Sequence, residues 1–507
     1  MPLFGTVRVY LAKNYSFMLS KSRIVRGSQC HKSLWLYKNN RELQTIDDTQ
    51  KAIFQSGTEV GLLARMLFPG GIDPTENMEY PSRESALKTQ NLIDQGIEVI
   101  YEATFIHNDV LVAVDILVKT SSGWDIYEVK SSTKLKEVHV LDGAIQSWVL
   151  RQAGLTISNV YITLINSDYT REEALKVDEL FYHSEINSKI GSHLDSLPST
   201  ADQLKIVLQS SACPAIDIGP HCKKPYECDF KNHCWKDIPD NSVLHLTRGG
   251  AKSWNLYRQD VKLLENIPDN IPLTLDQEVQ VRAEQDSKKR IQKDEIKGFL
   301  DGLSNPLYCL DFETYSTSVP LLIPSHPYQQ IPFQYSIHKQ LVNTAWDHLE
   351  YLSDHSGSQD PRIEFIEHML QDLGQEGSIL VYHESFEKSR IQELARDFPE
   401  YAQELEALLP RVVDLETPFK KKHFYVKEMK GRSSIKNVLP ALVPQMSYDT
   451  LDIQNGSMAS LTYLKLSSDP NLPNSQALRQ QLLDYCKLDT LAMVKLLEVL
   501  FATSEEV

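Results

Sequence analysis

The segment 99–131 constrains the fold of this chain more than any other. Three strand-like runs, VIYEATFI (99–106), VLVAVDILVK (110–119) and WDIYEVKS (124–131), follow one another with only the polar turns His107-Asn108-Asp109 and Ser121-Ser122-Gly123 between them. Connections this short suit antiparallel pairing, so the segment predicts a β-meander. Alternate residues of a strand share a face, which places Glu128 beside Lys130, and a tight hairpin brings Asp115 of the preceding run alongside. Asp115 sits among Val112, Ala113, Val114, Ile116 and Leu117, a poor setting for an acid that merely faces water. Two carboxylates and a lysine are therefore expected to converge. Carboxylate oxygens suit magnesium or manganese, and such ions together with a lysine stabilise the charge that develops when a phosphodiester is hydrolysed. On the opposing view the same residues form a solvated hairpin with one weak surface ion pair.

The surroundings of the meander predict an α/β unit. Phe54, Val60, Leu63 and Leu67 recur at helical intervals before Pro69-Gly70-Gly71, a second helix is expected around 141–152, and NVYITLI (159–165) reads as a further strand. A second α/β region opens at PLYCLDFETY (306–315) and closes on a long helix from about Ala477 to Phe501. The mostly polar stretch between the two regions reads as a helical connector. A chain of 507 residues is too long for one core, and the expected division is 1–236, 237–300 and 301–507.

In the second region Asp311 and Glu313 share one face of an otherwise apolar strand. In LLDYCKLDTLAMVKLL, Tyr485 and Asp489 lie four apart on one face of a helix. Either pattern alone is common. Cysteines add a third signal: Cys213, Cys222, Cys228 and Cys234 fall in one window, and the five-residue gaps between the last three exceed the usual zinc knuckle. That spacing favours an iron–sulfur cluster, with zinc, assisted by His221 or His233, as the alternative. Cys309 and Cys486 stand alone and read as unligated core thiols.

The formal charge of -16 argues against indiscriminate binding to polyanions. The basic residues are concentrated, however. Residues 1–41 contain Arg8, Lys13, Lys21, Arg23, Arg26, Lys32, Lys38 and Arg41 and no acid, and residues 420–436 contain seven Lys or Arg against one Glu. In the second segment Phe419, Phe424 and Tyr425 are interleaved with the lysines; such residues can stack on exposed bases while the lysines track phosphates, and a solvated loop is the equal alternative. No apolar run approaches the roughly 18 residues of a membrane span, and no signal-peptide pattern opens the chain, so a cytoplasmic location is expected.

With Asp115 and Glu128-x-Lys130 on consecutive strands, and Gln146 on the following helix in DGAIQSWVL, the first region resembles the RecB-like PD-(D/E)xK nucleases, including the iron–sulfur exonucleases of CRISPR adaptation. The resemblance implies a restriction-endonuclease-like domain in which Asp115 and Glu128 hold metal. It also implies that Cys30, in SQCHKSLWLY, joins Cys222, Cys228 and Cys234 around a cluster, with Cys213 as the competing fourth ligand. Gly61 stands where many relatives carry a metal-binding histidine, leaving Glu59 or Glu102 to supply that ligand. The second region resembles the DEDDy branch of the ribonuclease H-like 3′–5′ exonucleases. By that resemblance Asp311, Glu313, Glu387 and Asp489 hold two metals and Tyr485 orients the attacking water, with Glu387 replacing the usual aspartate and His383 near the usual asparagine. Asp414 is then a supporting residue. The phrases SIKNVLPALVP, FETYS and GSMAS make the whole chain similar to an uncharacterised bacterial family that joins the two nuclease types. The implied function is metal-dependent hydrolysis of nucleic acid, DNA favoured and exonucleolytic. The alternative is a catalytically decayed nucleic-acid-binding or regulatory scaffold with a structural metal site.

Overall fold

Runs of β-branched and aromatic residues, each interrupted by one or two acids, build the two main sheets. A computed structural model describes residues 18–342, 344–354, 360–469 and 471–505; Arg8 and Lys13 of the basic N-terminal stretch lie outside the described residues. The chain is mixed α/β and divides into two units: residues up to Asp237 with Thr317–Tyr328, and Ile238–Ser316 with Gln329 onward.

In the first unit strand β1 (Leu19–Ser20) leads directly into helix α1 (Lys21–Gln29), and helix α2 (Asp48–Ala64) follows. Strands β2 (Val99–His107), β3 (Val110–Thr120) and β4 (Gly123–Lys130) form the expected antiparallel meander. After helix α3 (Glu137–Gln152), strand β5 (Ile157–Ile165) pairs parallel to β4 and β6 (Phe181–Glu185) pairs antiparallel to β5. β1 pairs parallel to β3 at Val110 and Leu111. The amphipathic logic that usually leaves one helix face polar fails for α3, which is buried from Val138 to Leu150 with the exception of Leu141. Its Ile145, Trp148 and Val149 join Ile126, Val160 and Ile162 of the sheet in one core.

The second unit begins with residues assigned from sequence to a connector. They have a core of their own, with Val243, Leu246, Leu256, Leu264, Ile267 and Val281 clustered beneath helix α4 (Leu275–Asp286). After the short strand β7 (Arg290–Ile291) come β8 (Leu307–Tyr315), β9 (Ile331–Gln340) and β10 (Trp346–Leu352), paired antiparallel. Helix α5 (Arg362–Leu373) leads to β11 (Ser378–Val381), parallel to β8; helix α6 (Ser385–Asp397) leads to β12 (Val412–Asp414), parallel to β11. Strand β13 (Phe424–Tyr425) pairs with β7 apart from this sheet. Helices α7 (Ile435–Leu442), α8 (Gly456–Ser468) and α9 (Ser475–Glu505) complete the unit. Leu310 and Phe312 of β8 enter one core with Phe365, Ile379 and Ile391, which leaves Asp311 and Glu313 on the opposite face of the strand.

The domain boundaries drawn from sequence differ from this division in one further respect. Between β8 and β9 the chain leaves the second unit, and Thr317–Tyr328 packs within the first, where Ser325 exchanges backbone hydrogen bonds with Arg171 and the Tyr328 hydroxyl donates to the Ser131 carbonyl. A twelve-residue excursion has no composition shift to betray it.

Two glycines test the packing. Gly377 has φ +90 immediately before β11, and a Cβ there would lie 2.0 Å from the Pro306 carbonyl oxygen. Gly377→Ala is expected to destabilise the second unit by at least ~1–3 kcal/mol in urea titrations. Gly61, within α2, is the control, because a Cβ added there would meet nothing inside 4 Å. Gly61→Ala is expected to stabilise by about 0.5–1 kcal/mol.

Candidate active sites

The first centre forms where the meander opens. The β3–β4 ladder runs from Thr120↔Gly123 to Ile116↔Tyr127 and then stops, so Asp115 faces Glu128 just beyond it. Asp115 Oδ2 accepts from the Val129 amide at 2.6 Å in place of a ladder bond. On the other side of β3, Tyr101↔Ile116 and Ala103↔Val114 bracket Glu102, which departs from the ladder with φ +47. A left-handed glutamate within a strand costs ~1–3 kcal/mol, and such strain is characteristic of functional positions. Three neighbouring strands thus present Glu102, Asp115 and Glu128 at one level. Of the two candidates for the missing ligand, Glu102 is in the cluster, where it also pairs with Arg65 at 3.2 Å. Glu59 is corrected: it is exposed on α2 and bonded to Gln55, because its helical position turns it to solvent.

Glu128 is 1% exposed and fully engaged. Its Oε1 accepts from Lys130 Nζ at 2.8 Å and from Lys21 Nζ, and its Oε2 accepts from Gln146 Nε2. Lys130 also donates to Asp142 Oδ2 at 2.6 Å. Burial opposes ionisation of Glu128, but Lys130 and Lys21 overcome it and hold the carboxyl below its usual range. Asp115 behaves oppositely: burial, then the neighbouring Glu128 charge, pushes it up to about 8. Sequence reasoning brought Asp115, Glu128, Lys130 and Gln146 together and missed Lys21 and Asp142. Lys21 was visible only as one more charge in a basic stretch. Gln146 Oε1 is buried and has no hydrogen-bond partner among the described residues.

The second centre is more acidic. One ligand oxygen from each of Asp311, Glu313 and Asp489 lies within 4.8 Å of the others, a grouping found nowhere else among the described residues. Glu387, on the first turn of α6, is 2% exposed, and its Oε2 has no partner. Burial, then Asp489 and Glu313, drives the Asp311 pKa well up; burial and Asp489 raise Glu313 to about 8, burial raises Glu387 to about 8, and burial raises Asp489 to about 6. Buried oxygen donors of this kind suit hard divalent cations, which would remove the repulsion.

Aromatic hydroxyls surround Asp489. Tyr448 donates to its Oδ1 at 2.6 Å, and Tyr485 also hydrogen-bonds to it. Burial keeps both phenols protonated. Lys436 Nζ donates to the Gln454 carbonyl at 2.6 Å and lies 5.4 Å from the Tyr448 ring centre and 5.8 Å from that of Tyr485. Gly456 opens α8, and a Cβ there would come 3.1 Å from Glu313 Oε2, so a side chain would crowd the carboxylate. Cys486, expected to be an unligated core thiol, is buried, yet its Sγ lies 3.8 Å from Asp311 Oδ2. Asp414 accepts from the backbone amides of His383 and Glu416 and so shapes the turn before α6, where His383 has φ +80. Sequence reasoning missed Tyr448, Lys436 and Gly456 as site residues. Lys436 and Gly456 lie inside SIKNVLPALVP and GSMAS, phrases that carried a likeness but no role.

The proposed base-stacking aromatics are corrected. Phe419, Phe424 and Tyr425 are 0%, 4% and 0% exposed, because the basic segment folds its apolar positions inward against β7.

Cys30, Cys222, Cys228 and Cys234 line one small cavity together with Ser33 and Phe230. Cys213 is exposed and does not line it. All four lining cysteines are free thiols, and burial raises the pKa of Cys30 and Cys234. Among the described residues no three of these sulfurs all lie within 4.8 Å of one another. A single zinc at about 2.3 Å from each sulfur would draw thiolates closer than that.

Residues 308–434 match a family described as a domain of unknown function (DUF2779). That range holds Asp311, Glu313 and Glu387 and stops before Lys436, Tyr448, Tyr485 and Asp489. The chain is also similar to the uncharacterized protein MG366 homolog of Mycoplasma pneumoniae, 29% identical over 239 residues that cover 42% of this chain and 35% of that protein. The uncharacterized protein MG366 of Mycoplasma genitalium is 28% identical over 207 residues, covering 37% of this chain and 30% of the relative. The chain thus spans about a third of the length of the curated relatives it matches. No helix among the described residues is long and apolar enough to cross a membrane.

The raised carboxyl pKa values set a pH dependence. Asp311, Glu313, Glu387 and Asp115 bind more protons folded than unfolded between about pH 5 and pH 8, so metal-free stability falls as pH rises through that window. Glu128, whose pKa is lowered, contributes no slope there. The melting temperature of metal-free protein is expected to fall from pH 5.5 to pH 8, and the stabilising shift on adding manganese to grow over the same interval.

Proposed function

We propose that this chain is a metal-dependent nuclease, acting on nucleic acid with DNA favoured and removing nucleotides exonucleolytically from a strand end. The reading assigns a PD-(D/E)xK-like centre to the first unit and a DEDDy-like ribonuclease H-type centre to the second. The observation that carries it is the second centre: three carboxylates with oxygens within 4.8 Å of one another, and near them Glu387 with a buried oxygen that has no hydrogen-bond partner among the described residues. Asp311, Glu313, Glu387 and Asp489 would hold two divalent ions, magnesium or manganese. Such ions, when bound, supply charge neutralisation at the phosphodiester and a more acidic water.

The chain's own residues have separable tasks. Tyr448 and Tyr485 fix the orientation of Asp489, and the neutral phenol of Tyr485 is suited to orient a water without taking its proton. Lys436 adds a positive charge at the tyrosine side of the site. Two divalent ions would balance four carboxylates but not the phosphodiester itself, and Lys436 matches that remaining charge. The reading assigns the four-thiol cavity an iron–sulfur cluster as a structural staple, with zinc as the alternative. A cytoplasmic location accords with free thiols and such a cluster.

A second reading applies to the first unit alone. Lys21, Lys130 and Gln146 occupy both oxygens of Glu128, the pattern of a binding platform whose acids are already compensated. Incubating labelled single- and double-stranded DNA and RNA with manganese separates the two. Asp311→Asn is expected to lower cleavage at least about 10³-fold, on the order seen when charge-stabilising groups are removed from active sites. Lys130→Ala abolishes a distinct cleavage product if the first centre cuts, and weakens binding alone if it is a platform. Absence of cleavage by anaerobically purified protein on every substrate would sink the nuclease reading.

A further inference from the structure

Two basic segments far apart in sequence are joined in the second unit. Lys288, Lys289 and Arg290 follow α4, and all three are exposed. β7 and β13 pair Arg290 with Tyr425 and Ile291 with Phe424, and the Gln292 amide donates to the His423 carbonyl at 2.8 Å. Lys427 Nζ reaches Ser287 Oγ at 3.3 Å across the same junction. The KKR triplet is thereby set against the basic segment 420–436.

The strip is rigid. The Gly431 amide donates to the Tyr425 hydroxyl at 2.9 Å, and the Gly431 carbonyl accepts from Thr247 Oγ1 at 2.8 Å. Gly431 has φ +72, and a Cβ there would lie 2.4 Å from Gln280 Nε2, so the loop is seated against α4. Beyond it the Ser433 hydroxyl donates to Glu416 Oε1 at 2.7 Å and the Ser433 carbonyl accepts from the Tyr382 hydroxyl, and the chain then enters α7 at Ile435. Lys436, in the first turn, stands at the second acidic centre. Because Phe424, Tyr425 and Met429 point into the core, the charged residues between them are turned outward.

Acids lie near the strip, but few of its cations are tied to them. Lys430 pairs with Asp240 at 2.8 Å, the exposed acids Asp269, Glu278 and Asp286 line one cavity with Lys288, Lys289 and Arg290, and Glu284 and Glu428 lie near Lys427. Among the described residues, Lys288, Lys289, Arg290 and Arg432 make no ion pair. In a chain of formal charge -16, a set of exposed cations that leads to a cluster of buried carboxylates is a surface suited to an anionic partner.

We propose that residues 288–290 and 427–432 form a phosphate track that guides one strand of nucleic acid to Lys436 and the second centre. The proposal rests on the nuclease reading and adds a surface to it: the triplet after α4, outside the residues that supply the acids, is a binding element. Recognition is by the sugar–phosphate backbone, since the aromatic rings of the segment are buried and unavailable to bases. A single strand fits better than a duplex, because the acids at the end of the track are buried.

The test uses full-length protein carrying Asp311→Asn, so that a fluorescent oligodeoxynucleotide stays intact while its affinity is measured against potassium chloride concentration. Replacing Lys288, Lys289 and Arg290 together by Gln is expected to reduce the slope of log affinity against log salt by about 2, at ~0.7 for each lost contact to a single strand. Affinity at low salt is expected to fall at least about tenfold. The conservative triple K288R, K289R, R290K keeps both quantities near those of the parent. In protein with Asp311 intact, the Gln triple raises KM and leaves kcat unchanged, as loss of uniform binding requires. An unchanged slope and affinity in the Gln triple overturns the track, as does equal loss in the conservative triple, and tighter binding of duplex overturns the single-strand assignment. If the parent binds no DNA or RNA of any form, the nuclease reading falls and takes the track with it; binding with an unaltered salt slope removes the track alone.

Discussion

Several carboxylates placed side by side away from water repel one another and lose hydration together, and the second unit is organised around that cost. β8 contributes Asp311 and Glu313, α6 contributes Glu387, and α9 contributes Asp489, so the site exists only when three elements meet. The nearby protein groups supply partial compensation: two phenols on Asp489 and the Lys436 ammonium. Burial and the neighbouring carboxylates raise the pKa values, which favours retained protons over accumulated charge. Stability given up at a cluster like this is recovered elsewhere, here in the aromatic packing of Phe312, Tyr335 and Phe365 on the reverse side of the same strands.

The first unit meets the same electrostatic problem differently. Glu128 is ionised because two lysines and an amide bind it, while Asp115 next to it is pushed toward the neutral form. Compensation within the protein makes this cluster less dependent on an added cation than the second. The backbone also bears a cost: Glu102 takes a left-handed conformation in mid-strand and so breaks the β2–β3 ladder opposite Asp115. That distortion brings a third carboxylate to the level of the other two, at a position where regular pairing would have closed the sheet.

Hydrogen bonds and an ion pair hold the ends of the first unit together. Arg26 pairs with Asp229 at 2.6 Å, Gln29 donates to the carbonyls of His221 and Tyr226, and Trp35 Nε1 donates to the Ser210 carbonyl at 2.9 Å. These contacts bring Cys30 beside Cys222, Cys228 and Cys234 and leave Cys213 at the surface. The helix that follows the β1–β3 pairing delivers Lys21 to Glu128 and, nine residues later, Cys30 to the thiol cavity, so one short element serves two sites.

Local order in the chain determined the meander, the D-x-E strand and the helical Tyr-x3-Asp, because alternation and helical repeat depend on neighbours within a few residues. Asp115, Glu128 and Lys130 were legible for that reason, and so were Asp311, Glu313, Tyr485 and Asp489, whereas Gln146 was singled out only by the family resemblance. Tertiary structure alone decided which of Glu59 and Glu102 faces the cluster, since that turns on helix orientation and on one distorted strand residue. It also decided that Phe424 and Tyr425 are core, that Tyr448 and Lys436 reach the surroundings of Asp489, and that residues 288–290 lie beside a segment more than a hundred residues away. Contacts of that separation are selected by the packing of whole elements, and no local pattern in the sequence encodes them.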